Sequence, residues 1–253
     1  MKKLIGLFVI VFCSGLVRGQ VVAIGIRGGI SIPNLTAGSG DANPINTGYS
    51  SRLGTEAALF AEWKSTERFS VEAMIEYSAQ GGKKNGLQAL NTPPEIVAMY
   101  PAGQAPAYLY ADYKSEARLN YLLLPVLAKF TWKVGNTPFH VYVGAGPFAC
   151  ILVSASQVTG GQSPFYADPA GQQPLPGGSQ SFDHTQNIRK ELHRFNAGAE
   201  GLAGIAYRCG KSAVFMEGGG NYGFLNIQKN SQNGKNNTGA GMVALGYSYQ
   251  FCK

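Results

Sequence analysis

Ten ionisable residues fall at alternate positions within otherwise apolar or small-residue segments: Arg27, Glu56, Glu62, Glu72, Glu76, Lys129, His140, Arg194, Glu200 and Glu217. Gathered in one place, such groups could do one of two things. Paired carboxylates with a neighbouring base can move protons or catalyse, or the charges can pair with one another, fill an interior and fix its register. No serine, histidine and aspartate follow one another as a nucleophilic triad would require, and His184 and His193 fall in or beside a long connection. The pattern therefore favours a structural polar plug, with a catalytic or proton-conducting cluster as the sharper alternative. Cys150, Cys209 and Cys252 form no CxxC pair and have no histidine at metal spacing, so neither a zinc site nor any cofactor is expected. In an exported chain Cys209 and Cys252 could form a disulfide, since both stand at the same end of predicted strands; the plain alternative is free thiols.

The elements that carry these residues have a period of two. From Phe69 the odd positions read Phe69, Val71, Ala73, Ile75, Tyr77, and the even ones Ser70, Glu72, Met74, Glu76, Ser78. A strand places these sets on opposite faces, whereas a helix would scatter both around its axis. Ala57 to Trp63, Leu122 to Trp132, Phe139 to Ala145, Phe195 to Tyr207 and Val243 to Phe251 alternate in the same way, although Phe60 interrupts the polar face of its segment. Val21 to Ser31 and Ala213 to Ile227 complete eight predicted strands, the last blurred by Gly218-Gly219-Gly220.

Connection lengths alternate too. Ser65-Thr66-Glu67-Arg68, Val134 to Pro138 and Arg208-Cys209-Gly210-Lys211 are tight hairpin signals. The remaining connections are long, roughly 33–53, 81–118, 154–192 and 228–239. A soluble sandwich has no reason to place every long loop after an odd strand, but a membrane barrel does, with short turns in the periplasm and long loops outside. The expectation is an all-β, eight-stranded antiparallel up-and-down transmembrane β-barrel with both termini in the periplasm. Its interior should be only wide enough for side chains to fill, with small or charged residues facing inward.

Composition and the N-terminus agree with this reading. Only 14% of the 253 residues are charged while 45% are hydrophobic and 34 are glycine; about 25% charged is usual for a soluble domain. Lys2 and Lys3, the apolar stretch from Leu4 to Val17 and the small Gly19 have the order of a secretory signal peptide over residues 1–19, leaving 20–253 as the barrel domain. Without Lys2, Lys3 and Arg18 the mature charge is 18 minus 14, or +4, too small an excess to suggest nucleic acid. Aromatic residues bracket the short turns: Trp63, Phe69, Phe130, Trp132, Phe139, Tyr207, Tyr249 and Phe251. Amphipathic rings prefer the headgroup level, so these read as an interfacial girdle against outer-membrane lipid.

With the strands placed, a family resemblance can be stated. Asn120-Tyr-Leu-Leu-Leu-Pro-Val-Leu-Ala-Lys129-Phe130 resembles the strand typical of the PorT-like outer-membrane β-barrel family of Bacteroidetes. Ile24-Gly-Ile-Arg-Gly-Gly-Ile30, Phe69 to Tyr77, Val141-Tyr-Val-Gly-Ala-Gly-Pro147 and Gly246-Tyr-Ser-Tyr-Gln-Phe251 are similar to its other strands. The resemblance covers strands but not loops. It implies a small outer-membrane barrel, in some members linked to protein secretion across that membrane, and carries over no catalytic residue. One departure is that Cys252 and Lys253 follow Phe251, where a terminal aromatic is the usual assembly signal.

Function then rests on the loops, of which the one from Ser154 to Leu192 is rich in Gly, Pro, Gln and Ser; loops this long are functional or simply mobile. Thr92 to Tyr100 reads as a short capped helix within the second long connection. The expected protein is a monomeric, non-enzymatic barrel, structural or binding a surface ligand, or an accessory of a secretion complex. A lipid-modifying barrel enzyme and a narrow solute channel are the alternatives.

Overall fold

The computed structural model describes residues 21–37, 43–230 and 233–251. The leader expected over 1–19 and Cys252 lie outside the described residues, so the proposed Cys209 pairing does too; Cys209 itself is exposed at a strand end. Eight long strands form the wall: β1 (Val21–Ala37), β2 (Gly54–Lys64), β3 (Phe69–Asn91), β4 (Tyr108–Lys133), β5 (Phe139–Gly160), β9 (Phe195–Cys209), β10 (Ser212–Gly223) and β11 (Asn236–Gln250). Between β5 and β9 lie the short pieces β6 (Gln162–Ser163), β7 (Gln180–Ser181) and β8 (His184–Asn187) and a 3-10 turn, Arg189–Glu191. Each wall strand pairs antiparallel with its sequence neighbours in the ring, β4 pairs β5, and β1 pairs β11 from Ala23↔Gln250 to Ala37↔Asn236. The sheet therefore closes on itself and leaves no edge, as a sheet in hydrocarbon must.

The large apolar side chains point outward along every wall strand, among them Ile26, Leu59, Ile75, Leu124, Val143, Ile205, Met216 and Leu245. Exposed apolar groups on this scale would be a liability in water. In a bilayer they are the lipid-facing surface.

Strands β1, β3, β4 and β5 run further than the sequence suggests. β3 does not stop at Gly81-Gly82: Gly81, at φ 117°, lets the backbone come up against the Ala117 carbonyl, and the ladder continues to Asn91↔Tyr108. Most of the expected 81–118 loop is thus a β3–β4 hairpin standing above the apolar band, held by backbone pairing and by a buried β4 face of Leu109, Ala111 and Ala117. β5 likewise extends to Gly160. β1 runs through Pro33 to Ala37, past the end of its pairing with β2, where a strand can tolerate proline. The expected helix is one turn, α1 (Pro94–Val97), with no side-chain cap, because the Thr92 hydroxyl donates to the Pro106 carbonyl instead.

Candidate functional site

At mid-height in the barrel the guanidinium of Arg27 meets four carboxylates from four other strands. Nε reaches Glu56 Oε1 at 2.8 Å, Nη1 reaches Glu217 Oε1 at 2.6 Å, and Nη2 reaches Glu76 Oε2 at 2.7 Å and Glu200 Oε1 at 3.2 Å. All five side chains are essentially sealed from solvent. A planar fork with several fixed donors suits this multiple pairing better than an ammonium would. One layer nearer the short turns, Lys129 Nζ donates to Glu72 Oε2 at 2.8 Å and lies 3.9 Å from Glu62 Oε2, while Ser70 Oγ donates to Glu62 at 2.7 Å. Tyr142 joins the layers: its hydroxyl donates to Glu217 Oε2 at 2.7 Å and its ring lies 4.2 Å from Lys129 Nζ.

Two residues expected in this network are elsewhere. His140 is half-buried at the short-turn rim, its Nδ1 3.1 Å from the Pro138 carbonyl. Arg194 is exposed and precedes β9, its carbonyl accepting from Leu152 N–H. Alternation assigns a face but not a depth, and Arg194 lies one residue before the strand begins.

The interior is also far less small and charged than expected. Phe60, Met74, Leu127, Tyr142, Leu202 and Phe215 pack around the Lys129 layer. Four inward rings find space over a glycine of a neighbouring strand: Phe60 over Gly25, Phe215 over Gly246, Tyr142 over Gly204, Phe148 over Gly198, positions where a Cβ would collide with the ring. Much of the glycine content is thereby explained by packing. Above the Arg27 layer an apolar cluster fills the barrel, formed by Leu119, Tyr121, Leu123, Phe148 and Leu152, with Ile188, Leu192 and Ile227 from the connections. A register shift opposite Asn120 and Tyr121 lets both Leu152 and Ala155, three residues apart, face inward.

The rings expected at the interface form contacts around the short-turn end. Phe69 and Phe130 have centroids 5.1 Å apart, Phe130 and Trp132 6.4 Å, Phe139 and Tyr207 5.3 Å, and Tyr249 and Phe251 5.2 Å. Trp63 stands half-buried opposite Val22 in the same layer. A second belt, not singled out in the sequence, lies at the opposite end of the apolar band in Tyr77, Phe195, Tyr222 and Phe224. Eight residues separate Phe69 from Tyr77 and twelve separate Phe195 from Tyr207. At about 3.4 Å per residue and a tilt near 40°, these spans bracket the roughly 25 Å of a barrel's apolar band.

Over the apolar cluster, on the long-loop side, lies a cavity of about 230 Å³. All four long connections or the strand extensions beside them line it, including Tyr49, Asn91, Tyr113, Gln157, Glu191 and Gln228. Lys84 braces its wall by donating to the Ile45 carbonyl, with Nζ 4.4 Å from the Tyr49 ring. Burial lowers the Lys84 amine to about 8 and, with Tyr113 nearby, raises the Tyr49 hydroxyl to about 12. Among the described residues no group of three or more His, Cys, Asp or Glu is arranged to hold a metal ion.

A closed ring with an apolar exterior, two aromatic belts and a filled interior defines an outer-membrane β-barrel. The family model of the outer membrane protein beta-barrel domain matches residues 18–229, and the chain belongs to that family. A comparison with curated proteins found no match. Among solved structures the chain is similar to Neisserial surface protein A, with 12% identity, 90% of this chain and 99% of that one covered, and a TM-score of 0.42. It is also similar to OprG from Pseudomonas aeruginosa, with 13% identity, 92% and 98% covered and a TM-score of 0.40. For the outer membrane protease OmpT from Escherichia coli the figures are 10% identity, 92% and 98% covered and 0.45.

Proposed function

We propose that this protein is a non-enzymatic outer-membrane barrel that blocks its own lumen and binds a surface ligand in the vestibule beneath its long loops. The observation that carries this reading is the stacking of the Arg27 network, the apolar cluster and the cavity along one axis. The first two support a filled lumen, and the third lies on the long-loop side, lined by the connections. The ionic residues serve as a plug: the Arg27 group lies beneath the apolar cluster, and Lys129 is held by Glu72, Glu62 and the Tyr142 ring. Purified protein in a planar bilayer should show no steady conductance; a stable open state would overturn the plug.

The finer reading, a PorT-like accessory of a protein-secretion complex, is supported by the Tyr121 to Lys129 strand and its companions. Crosslinking in the native envelope through the vestibule rim, for example at Asn91 or Gln228, should then capture envelope proteins of the secretion machinery. Residues 1–19 act in this reading as a cleaved leader, and sequencing of the mature N-terminus should begin at Gln20. Unchanged lipid A and phospholipid on overexpression are expected, against a lipid-modifying enzyme.

A further inference from the structure

The short-turn end carries a feature that neither the plug nor the vestibule uses. A cleft of about 600 Å³ opens there, walled by Lys64, Arg68, Trp132, Lys133, His140 and Arg208. Four of these are Lys or Arg, and Glu67 is the one carboxylate on the wall, so its formal charge is four minus one, or +3. No ion pair among the described residues reaches Lys64, Arg68, Lys133 or Arg208. Glu62 attracts both Lys64 and Arg208 from the lumen, but it also accepts from Ser70 and lies 3.9 Å from Lys129, so one carboxylate is shared among three cations. Lys64 and Arg208 are half-buried, and the Lys64 ammonium donates to the neutral Gln250 amide oxygen at 3.2 Å.

Like charges drawn this close, with part of their hydration removed, raise the free energy of the mouth unless an anion sits among them. The depth of the cleft says which anion. Trp132 belongs to the aromatic girdle, stacked with Phe130 at 6.4 Å, so the cleft opens at headgroup level on the periplasmic side, where phosphodiesters lie. An arginine fork and adjacent ammonium groups suit phosphate oxygens, and basic pockets at this depth attract anionic headgroups.

We infer that this periplasmic mouth is a binding site for a phosphate group, supplied by an anionic phospholipid of the periplasmic leaflet, that enters beside Trp132 and is held by Lys64, Lys133 and Arg208. The site is independent of the vestibule and stands whether or not that cavity binds anything.

The chain's two tryptophans, Trp63 and Trp132, both sit at this end, and Trp132 lines the cleft. A Trp63→Phe background makes Trp132 the single emitter. Full-length protein in phosphatidylcholine bilayers is titrated with brominated phosphatidylglycerol or brominated phosphatidylcholine, and quenching gives the relative affinity of the two lipids. At low salt phosphatidylglycerol should be favoured by at least about five-fold, the factor that one basic group near an anionic headgroup contributes. The preference should fall to near one in the Lys64→Gln/Lys133→Gln/Arg208→Gln variant and persist in Arg118→Gln, which alters the opposite end. Heat-modified gel mobility checks that each variant is folded. If millimolar glycerol phosphate or inorganic phosphate displaces the brominated phosphatidylglycerol, the same site also takes soluble phosphate; if not, the lipid is its ligand. Equal quenching by both lipids in the unsubstituted mouth, or a preference that survives the triple substitution, overturns the inference.

Discussion

The two halves of this lumen solve the same packing problem with different chemistry. The half toward the short turns is ionic, built from Arg27, Lys129 and six buried glutamates with rings packed among them. The half toward the long loops is apolar, built from Leu119, Tyr121, Leu123, Phe148 and Leu152 and capped by Ile188, Leu192 and Ile227. Ionic pairs are directional and tolerate few arrangements, so they pin the six strands that carry them, β1 to β4, β9 and β10, to one register. Dispersion and apolar burial are not directional, so the upper half can accept residues delivered by irregular connections. Fixing the barrel and seating the loops are thus divided between its two ends.

Substitutions that abolish one half while sparing the other test this division. The largest effect is expected at Arg27→Met, which leaves Glu56, Glu76, Glu200 and Glu217 buried around no cation. Removing one member of a buried pair costs about 3–5 kcal/mol, and urea unfolding of the folded barrel in lipid should show at least that loss. A loss below about 1 kcal/mol would mean that the ionic half does not hold the register.

Next comes the apolar half. Leu152→Ala should cost about 2–5 kcal/mol, the range for truncating a fully buried leucine, while the barrel still folds and its girdle fluorescence is unchanged. Gly246→Leu sets a side chain against the Phe215 ring and should cost about 1–3 kcal/mol by overpacking; the double variant Gly246→Leu/Phe215→Ala should recover part of it, because the ring that collides is gone.

The smallest effect belongs to the loop end. Glu116 accepts from Arg118 at 3.0 Å and Arg52 at 2.8 Å, and these bonds, Arg118 first, hold its carboxyl below the usual range. A lowered carboxylate contributes stability in full above its unfolded value, near 4.3, and loses it as pH falls through the lower folded value. Because the group is partly exposed, solvent screening keeps the contribution under about 1 kcal/mol. Glu116→Gln should flatten the acid limb of the stability curve below about pH 4 by that much; an unaltered acid limb would show the bridge to be inert.

Much of the wall was legible before any coordinates. Phe69 to Tyr77 alternates because one face meets lipid and the other does not, and the rings at the short turns fall where amphipathic groups are stable. The upper interior was hidden for a local reason. Tyr121-Leu122-Leu123-Leu124 is apolar on both faces, so a period-two reading assigns Leu122 and Leu124 to lipid and has nothing to say about where Tyr121 and Leu123 go. The β3–β4 extension was hidden on its β3 side, where Lys83, Lys84, Asn85 and Gly86 show no alternation; on its β4 side Leu109, Ala111, Tyr113 and Ala117 do alternate with Tyr110, Asp112, Lys114 and Glu116, a signal that taking 81–118 as a loop misses. Arg194 was misassigned by extending the alternation one residue too far.

By itself the sequence determined which faces of the strands are greasy, where the interfacial rings lie, and that the sheet must close, because those are local consequences of side-chain type at fixed spacing in a medium without hydrogen-bond partners. Only the tertiary structure decided that Arg27 would meet Glu56, 29 residues away, and Glu217, 190 residues away, at one point. Closure of the ring converts strand register into depth. Depth selects which of many inward residues become neighbours, and no stretch of chain carries that information alone.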